Sequence, residues 1–365
     1  MLRGRGRRGR RPKDRLTDVH TLRSDPFRQR WTGVERMSEM RTGSGGPPIP
    51  PPSIRDVEEA ARRIEGVALR TPLLRYKTME DGEPVWLKAE CLQPAGSFKL
   101  RGVLNWGMSL SPAERERGLS TQSAGNTAQA LGYVARLLGV PARSLLPDSA
   151  PRVKVDGVRS YGVTPVPVPF SALMDYVFDR GWEGEPYSYL NPWGDPSMLA
   201  GSGTIGMEIL DELPELKAVY IPVGGGGLVA AIGSVIKELR PAVEVVGVQS
   251  TACPSLGAAL EAGEPTWVQA GATICDGTTV PVVVDEMYPL VSSVVDRVAL
   301  VSEDDVRAAI ASLARGKKLV VVGSGAMSLA AARGERPDGP GACVLSGGSI
   351  GANRLAEILT TAAEG

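Results

Sequence analysis

The sequence predicts an α/β protein with largely parallel sheets. Three observations carry this. Short apolar runs that read as strands alternate with helix-patterned segments along the chain after residue 53. A run of four glycines, Gly224 to Gly227, falls between an apolar strand and an apolar helix. The chain has 365 residues, 42% of them hydrophobic and 22% charged, which is core material for two domains at roughly 150 residues each.

The elements follow in order. Ser53 caps a predicted helix over Ile54–Ile64, where apolar residues recur at helical spacing. Val85–Ala89 reads as a strand. Thr127–Leu138 is an Ala/Leu-rich helix that ends at Gly139. Ser144–Leu146 and Thr164–Val168 read as strands, the second limited by its prolines. Ala172–Asp179 and Ile205–Leu213 read as helices. Ala218–Val223 is a buried strand that leads through the glycines into a helix, Leu228–Leu239. The uncharged stretch from Ala218 to Ile236 has nearly membrane-spanning length. Pro222 and the glycines make it strand, loop and helix instead. Val243–Val248 is the next strand, Glu303–Ala314 an amphipathic helix, Leu319–Val322 a strand, Gly325–Ala332 a helix and Cys343–Leu345 a last strand.

Composition excludes several chemistries. The single histidine, His20, lies in a basic N-terminal tail. A Ser-His-Asp triad, a Cys-His pair and His-ligated metal are therefore excluded from the folded part. Cys91, Cys253, Cys275 and Cys343 show no Cys-x-x-Cys spacing, which argues against a disulfide scaffold or a Cys-only zinc site. The net charge of zero hides an asymmetry: residues 1–41 carry +8 and the remainder −8. The acidic body is no nucleic-acid binder; any such contact would run through the Arg/Gly tail. Residues 43–53 are a Gly/Pro linker, extended and non-helical. The tail lacks the apolar core of a secretory signal. Met37 and Met40 are candidate translation starts, and the tail is read as an early start. A soluble, cytoplasmic protein with no membrane contact is expected.

Five motifs carry the chemistry. Gly224, Gly225, Gly226 and Gly227 let the backbone approach an anion, and the following helix offers free N–H groups. This is a phosphate cradle without the Lys-Ser/Thr of a Walker loop. Gly201-Ser-Gly203-Thr-Ile-Gly206 fits a dinucleotide fingerprint literally but follows no strand, so it is discounted. Lys99, with Phe98 before it, follows a Pro-Ala-Gly-Ser turn near a helix start, where a desolvated lysine serves as a Schiff-base nucleophile. Ser123-Ala124-Gly125-Asn126-Thr127 opens a helix whose free N–H groups suit a substrate carboxylate. Asn126 can alternatively be a plain N-cap. Ser346-Gly347-Gly348-Ser349 places a hydroxyl after a strand, at the sheet edge where α/β proteins bind ligands. A lysine, a lone phosphate site and no histidine together point to pyridoxal 5'-phosphate.

In order and wording these segments resemble the fold-type II pyridoxal-phosphate enzymes, and within them the threonine/serine dehydratase and serine racemase group. The segments are RTPLL at 70–74, KAECLQPAGSFKLRG at 88–102, SAGNTAQAL at 123–131, LPDSAPRVK at 146–154, AGSGTIG at 200–206, VGGGGL at 223–228 and LSGGS at 345–349. The resemblance spans about residues 54–360. It implies the tryptophan synthase β-like architecture, two three-layer αβα domains with mostly parallel sheets. Residues 1–52 would be a disordered tail and linker, 53–118 with 196–365 the large cofactor-binding domain, and 119–195 a small domain that closes on the substrate. It implies Lys99 as the catalytic, cofactor-bound lysine, Phe98 near the ring and Gly224 to Gly227 on the phosphate. Asn126 would contact the ring hydroxyl, Ser346 the pyridine nitrogen, and residues 123–127 the substrate. The implied reaction is β-elimination from a β-hydroxy amino acid, with Lys99 removing the Cα proton and the cofactor phosphate or an ordered group as the acid. The products are a 2-oxo acid and ammonia. The group is usually dimeric.

Departures narrow the reading. Racemases of the group carry Ser where Ala124 stands, so racemisation is disfavoured. Thr127 replaces a His and resembles the β-replacement branch, which stays as an alternative; a pyridoxal-phosphate-binding regulatory protein is the non-enzyme alternative. Gln249, Cys253 and Ser255 occupy the group's divalent-cation site and are a poor set for hard cations, so no metal is expected. Val322 replaces a Glu, Ser349 an Asn and Cys275 an Ala, which favours a specialised β-hydroxy amino acid. The chain ends about 16 residues after Ser349, so isoleucine feedback through a further regulatory domain is not expected.

Overall fold

The computed structural model describes residues 40–76, 84–335 and 337–361. The basic tail, with His20 and Met37, lies outside the described residues. The strands are β1 (Leu73–Tyr76), β2 (Val85–Lys88), β3 (Leu119–Gln122), β4 (Ala142–Pro147), β5 (Val163–Val168), β6 (Ser188–Tyr189), β7 (Ala218–Pro222), β8 (Glu244–Ser250), β9 (Arg297–Val301) and β10 (Gly341–Val344). The α-helices are α1 (Ile54–Ile64), α2 (Lys99–Ser109), α3 (Pro112–Glu116), α4 (Asn126–Leu138), α5 (Arg152–Ser160), α6 (Phe170–Phe178), α7 (Pro196–Glu212), α8 (Gly227–Leu239), α9 (Ser255–Ala262), α10 (Tyr288–Val294), α11 (Glu303–Ser312), α12 (Gly323–Glu335) and α13 (Ala352–Thr361).

Two sheets result. The six-stranded sheet runs β1-β2-β10-β7-β8-β9, with only β1–β2 antiparallel. The four-stranded sheet runs β5-β4-β3-β6 and is wholly parallel. Its strands all lie between residues 119 and 189. The α/β class with mostly parallel sheets is therefore the observed one. Each face of the large sheet carries its own apolar cluster: Ile221, Val245, Val344 and α8 pack on one, Tyr220, Val246, Cys343 and α12 on the other. The small sheet packs through Leu119 and Ala142 against α4 and α2.

Local chemistry sets the element ends. Ser53 accepts from Asp56 N while the Asp56 carboxylate accepts from Ser53 N, a reciprocal cap that starts α1 where expected. Three expectations change. The strand expected at Leu319–Val322 is no strand: the chain leaves a left-handed turn at Lys318, and only single bonds tie it down, Leu319 N to Leu313 O and Val322 N to Gly347 O. The helix expected from Ile205 starts nine residues earlier, where Asp195 caps it and Pro196 sits in its first turn. The fingerprint-like glycines lie inside this helix and serve close packing; a Cβ on Gly201 would meet Arg101 O at 2.5 Å. The third change is β3, a strand of Leu-Ser-Thr-Gln where the sequence reading places no element. Burial pairs those hydroxyls: Ser120 Oγ accepts from Arg143 Nε and Thr121 Oγ1 donates to Leu190 O.

Residues 43–53 are non-helical, as the linker reading expects, but bend at Gly43 and at Gly45, whose φ is +73°, and residues 44–49 are docked. Ser44 N, Ser44 Oγ and Gly46 N all donate to Glu286 Oε1, and Ile49 N donates to Glu286 O. Among the described residues no helix is long and apolar enough to cross a membrane.

A buried ion cluster locks α2 in place. Arg101 donates through Nε and Nη2 to both oxygens of Glu90, through Nη1 and Nη2 to Glu208, and through Nη2 to Leu69 O. Lys88 Nζ reaches Thr71 O at 2.7 Å and Glu208 Oε2 at 2.8 Å. Arg101→Ala strands the buried Glu90 carboxylate and removes one of two cationic partners from the part-buried Glu208. It is expected to lower the unfolding free energy by about 3–5 kcal/mol, read from urea denaturation.

Candidate active site

The site sits at the carboxyl ends of the strands of both sheets, where α/β proteins bind ligands. A cavity of about 360 Å³ is lined there by Phe98, Lys99, residues 122–127, Gly224–Gly227 and Ser346. Every residue expected to catalyse or to bind cofactor or substrate thus lines one cavity, although the motifs are spread along most of the chain.

The glycine loop joins β7 to α8. Gly226 has φ +97°, the left-handed region, and precedes the first helical residue, Gly227. A Cβ on Gly225 would lie 2.6 Å from Trp193 Cδ1. No larger residue fits, and the loop's backbone is left bare for an anion at the start of a 13-residue helix.

Lys99 is the first residue of α2. The turn before it is zipped to the loop after β10: Phe98 N donates to Ser346 O, Ser97 pairs with Gly347, and Gly348 N donates to Gly96 O. This brings lysine and Ser346 to one wall. The Lys99 amine donates to Pro192 O at 3.1 Å and lies 5.1 Å from the centre of the Phe98 ring. Burial pushes its pKa down to about 8.

The Asn126 turn faces them. The N-cap of α4 is Gly125, and Asn126 is the first helical residue, so the plain N-cap role is corrected: its side chain does not cap the helix. Its amide nitrogen lies 3.2 Å from where a Cβ on Gly347 would sit. Ser123 Oγ accepts from Gly125 N and shapes the turn. Thr127 is buried.

Several lining residues escape sequence reading. Trp193 walls the glycine loop; its turn is built by Asn191 Oδ1, which accepts from Trp193 N and Gly194 N. The Asn-Pro-Trp-Gly-Asp-Pro cluster was the available signal. Lys154 and Asp276 pair at 2.7 Å across the cavity mouth, joining α5 of the small-sheet side to the large-sheet side. Gln122 lines the cavity with its Oε1 buried and unpartnered. Away from the cavity, Gln249 Oε1 accepts from Leu256 N and Gly257 N and Gln249 Nε2 donates to Ser255 Oγ, so the position read as a poor cation site is a helix cap. Among the described residues no group of three or more His, Cys, Asp or Glu is placed to hold a metal.

A bare glycine loop at a helix start, a half-neutral lysine and a free turn opposite define a class: an enzyme that holds a phosphorylated carbonyl cofactor. The chain belongs to the pyridoxal-phosphate dependent enzyme family, which it matches over residues 64–347. It is 36% identical to an L-threonine ammonia-lyase of Geobacter sulfurreducens, over 83% of this chain and 77% of that one. It is 34% identical to the catabolic L-threonine dehydratase of Escherichia coli K12, over 84% of this chain and 96% of that one. A solved threonine deaminase, from the source abbreviated T.th., superposes with a TM-score of 0.76 at 34% identity, covering 82% of this chain and 99% of that one. A serine racemase from Dictyostelium discoideum gives 0.74 at 29%, with the same coverage. The cofactor is therefore pyridoxal phosphate, and the residues present fit it: the cradle a Cβ would fill and a lysine whose pKa burial lowers to about 8.

Two outcomes are expected. Gly225→Ala should weaken cofactor binding at least tenfold, measured by titrating the apoprotein with pyridoxal phosphate. A lowered lysine pKa means that the nucleophilic neutral amine predominates above about 8. The rate of covalent reconstitution should therefore rise with pH and level off just above 8, rather than climb toward the ordinary lysine value of 10.5.

Proposed function

We propose that the protein is an ammonia-lyase that removes the β-hydroxyl and amine of a threonine/serine-type hydroxy amino acid, giving a 2-oxo acid and ammonia. The observation that carries this is the Lys99 amine. It stands on the cavity wall between the glycine loop and the Asn126 turn, with its pKa pushed down to about 8. Relatives named as threonine ammonia-lyases and dehydratases support the same reading.

When bound, the cofactor supplies the electron sink that makes the Cα proton acidic. The chain's own residues do the rest. Gly224–Gly227 hold the phosphate through backbone N–H groups. Residues 123–127 take the substrate carboxylate through the N–H groups of Ala124, Asn126 and Thr127, because Ser123 N and Gly125 N are already bonded within the protein. Asn126 would hold the ring hydroxyl, Phe98 would flank the ring, and the neutral Ser346 hydroxyl would hold the pyridine nitrogen and leave it less protonated than an Asp would. A neutral ring nitrogen favours elimination over chemistry that needs a stronger sink. Lys99, its pKa lowered by burial to about 8, takes the Cα proton in its neutral form. Ala124 offers no proton on the opposite face, which supports elimination over racemisation.

We assign residues 119–195 to a domain that closes on the substrate, with the Lys154–Asp276 pair at its mouth. Two copies of the chain form the working unit, and the protein acts in the cytoplasm.

The first test is the visible spectrum of the purified holoenzyme before and after L-threonine or L-serine. A cofactor band that changes as 2-oxo acid accumulates is expected; a band that responds to neither amino acid, without product, overturns the reading for these substrates. Lys99→Ala should lose elimination by a factor of at least about 10³ while still binding the cofactor noncovalently.

A further inference from the structure

A second cavity of about 190 Å³ lies against the active site, and the elimination steps described above leave it unused. Leu145, Leu173, Met174 and Val177 line it from β4 and α6 on the small-sheet side. Trp267 and Val282 line it from the large-sheet side. Gln122, Ser123, Trp193, Gly225 and Val280 belong to both cavities and form a shared wall. One polar atom in that wall has no protein partner: Gln122 Oε1 is buried, on a residue only 7% exposed. A buried amide oxygen is costly to leave unpaired, so this wall offers an acceptor to a donor that the protein itself does not supply.

We infer that this annex receives an apolar substituent on the substrate's β-carbon. The preferred substrates are then 3-hydroxy amino acids whose β-substituent is a branched aliphatic or aromatic group, larger than the methyl of threonine. The inference rests on the elimination reading and deepens it. In that reading the carboxylate lies on the turn that begins at Ser123, and the phosphate lies on the loop that contains Gly225. Both residues border the annex. A β-carbon between those anchors has the annex beside it, and Gln122 Oε1 is an acceptor that orients the β-hydroxyl. Size agrees: a phenyl ring fits an apolar protein cavity of about 150 Å³, whereas a methyl would leave most of the annex empty. The reaction balances without an oxidant. Water leaves and is returned on hydrolysis, so R–CH(OH)–CH(NH₃⁺)–COO⁻ becomes R–CH₂–CO–COO⁻ and ammonium.

The test compares kcat/KM of the holoenzyme for L-serine, L-threonine, 3-hydroxyleucine and 3-phenylserine, followed by 2-oxo acid and ammonium. At least one bulky substrate should exceed threonine tenfold. Calorimetry with the unreactive L-leucine and L-alanine gives a second readout. Leucine buries three more carbons, worth roughly 60-fold, and should bind at least tenfold tighter and compete with threonine. Met174→Trp fills the annex and should cut the bulky-to-threonine ratio at least tenfold; Val282→Trp serves if that variant does not fold. Threonine preferred over both bulky substrates, with leucine no tighter than alanine, overturns the inference and leaves elimination standing. Leucine that binds without competing marks an effector pocket and also overturns it. Tight, competitive leucine binding with no turnover of any hydroxy amino acid sinks the elimination reading while the annex stands.

Discussion

The structure depends on a buried arginine, Arg101, two residues beyond Lys99. Burial alone would raise the Glu90 carboxyl, yet the Arg101 charge and its hydrogen bonds, with those of Thr71 and Gln93, hold it below its ordinary value. Burial likewise opposes the Arg101 charge, and Glu90 and Glu208 more than restore it, so it stays protonated. Each guanidinium nitrogen donates, which is the condition under which a buried charge is tolerated. Three segments meet on it: the turn at Glu90, helix α2 and helix α7. Lys99 begins α2, so this cluster fixes where that helix starts.

The site is then a matter of helix starts and sheet edges. The loop of bare backbone before α8 and the turn before α4 present N–H groups into one cavity, each at the positive end of a helix of 13 residues. A phosphate and a carboxylate suit these two ends. Among the described residues the lysine between them has no carboxylate partner, and burial moves its pKa. An anion cradle on one side and an amine that deprotonates readily in the middle are what a phosphorylated aldehyde needs.

The docked linker ties the two sheets' surroundings together. Trp267 Nε1 donates to Arg41 O, while the Arg41 side chain donates to Phe178 O and pairs with Asp179 at the end of α6. Nothing in a Gly/Pro-rich sequence announces such contacts, because extended chain has no periodicity and its partners are far away. The same limit hid β3, whose polar residues are buried only because Arg143 and Leu190 meet them. It also produced a strand at Leu319–Val322, where an apolar run fits the pattern but no neighbour is free to pair along it.

By itself the sequence determined the α/β class, the caps that start α1 and end α4, and the chemistry of the site. Those depend on residue types within a few positions: a serine three before an aspartate, four glycines between strand and helix, a lysine after a tight turn, a single histidine outside the fold. Only the tertiary structure decided that Trp193 walls the glycine loop, that Gln122 is left with an unpaired oxygen, that Lys154 meets Asp276, and that an apolar annex opens beside the site. Each of these joins residues far apart along the chain. Local pattern carries no record of which distant surfaces burial will press together.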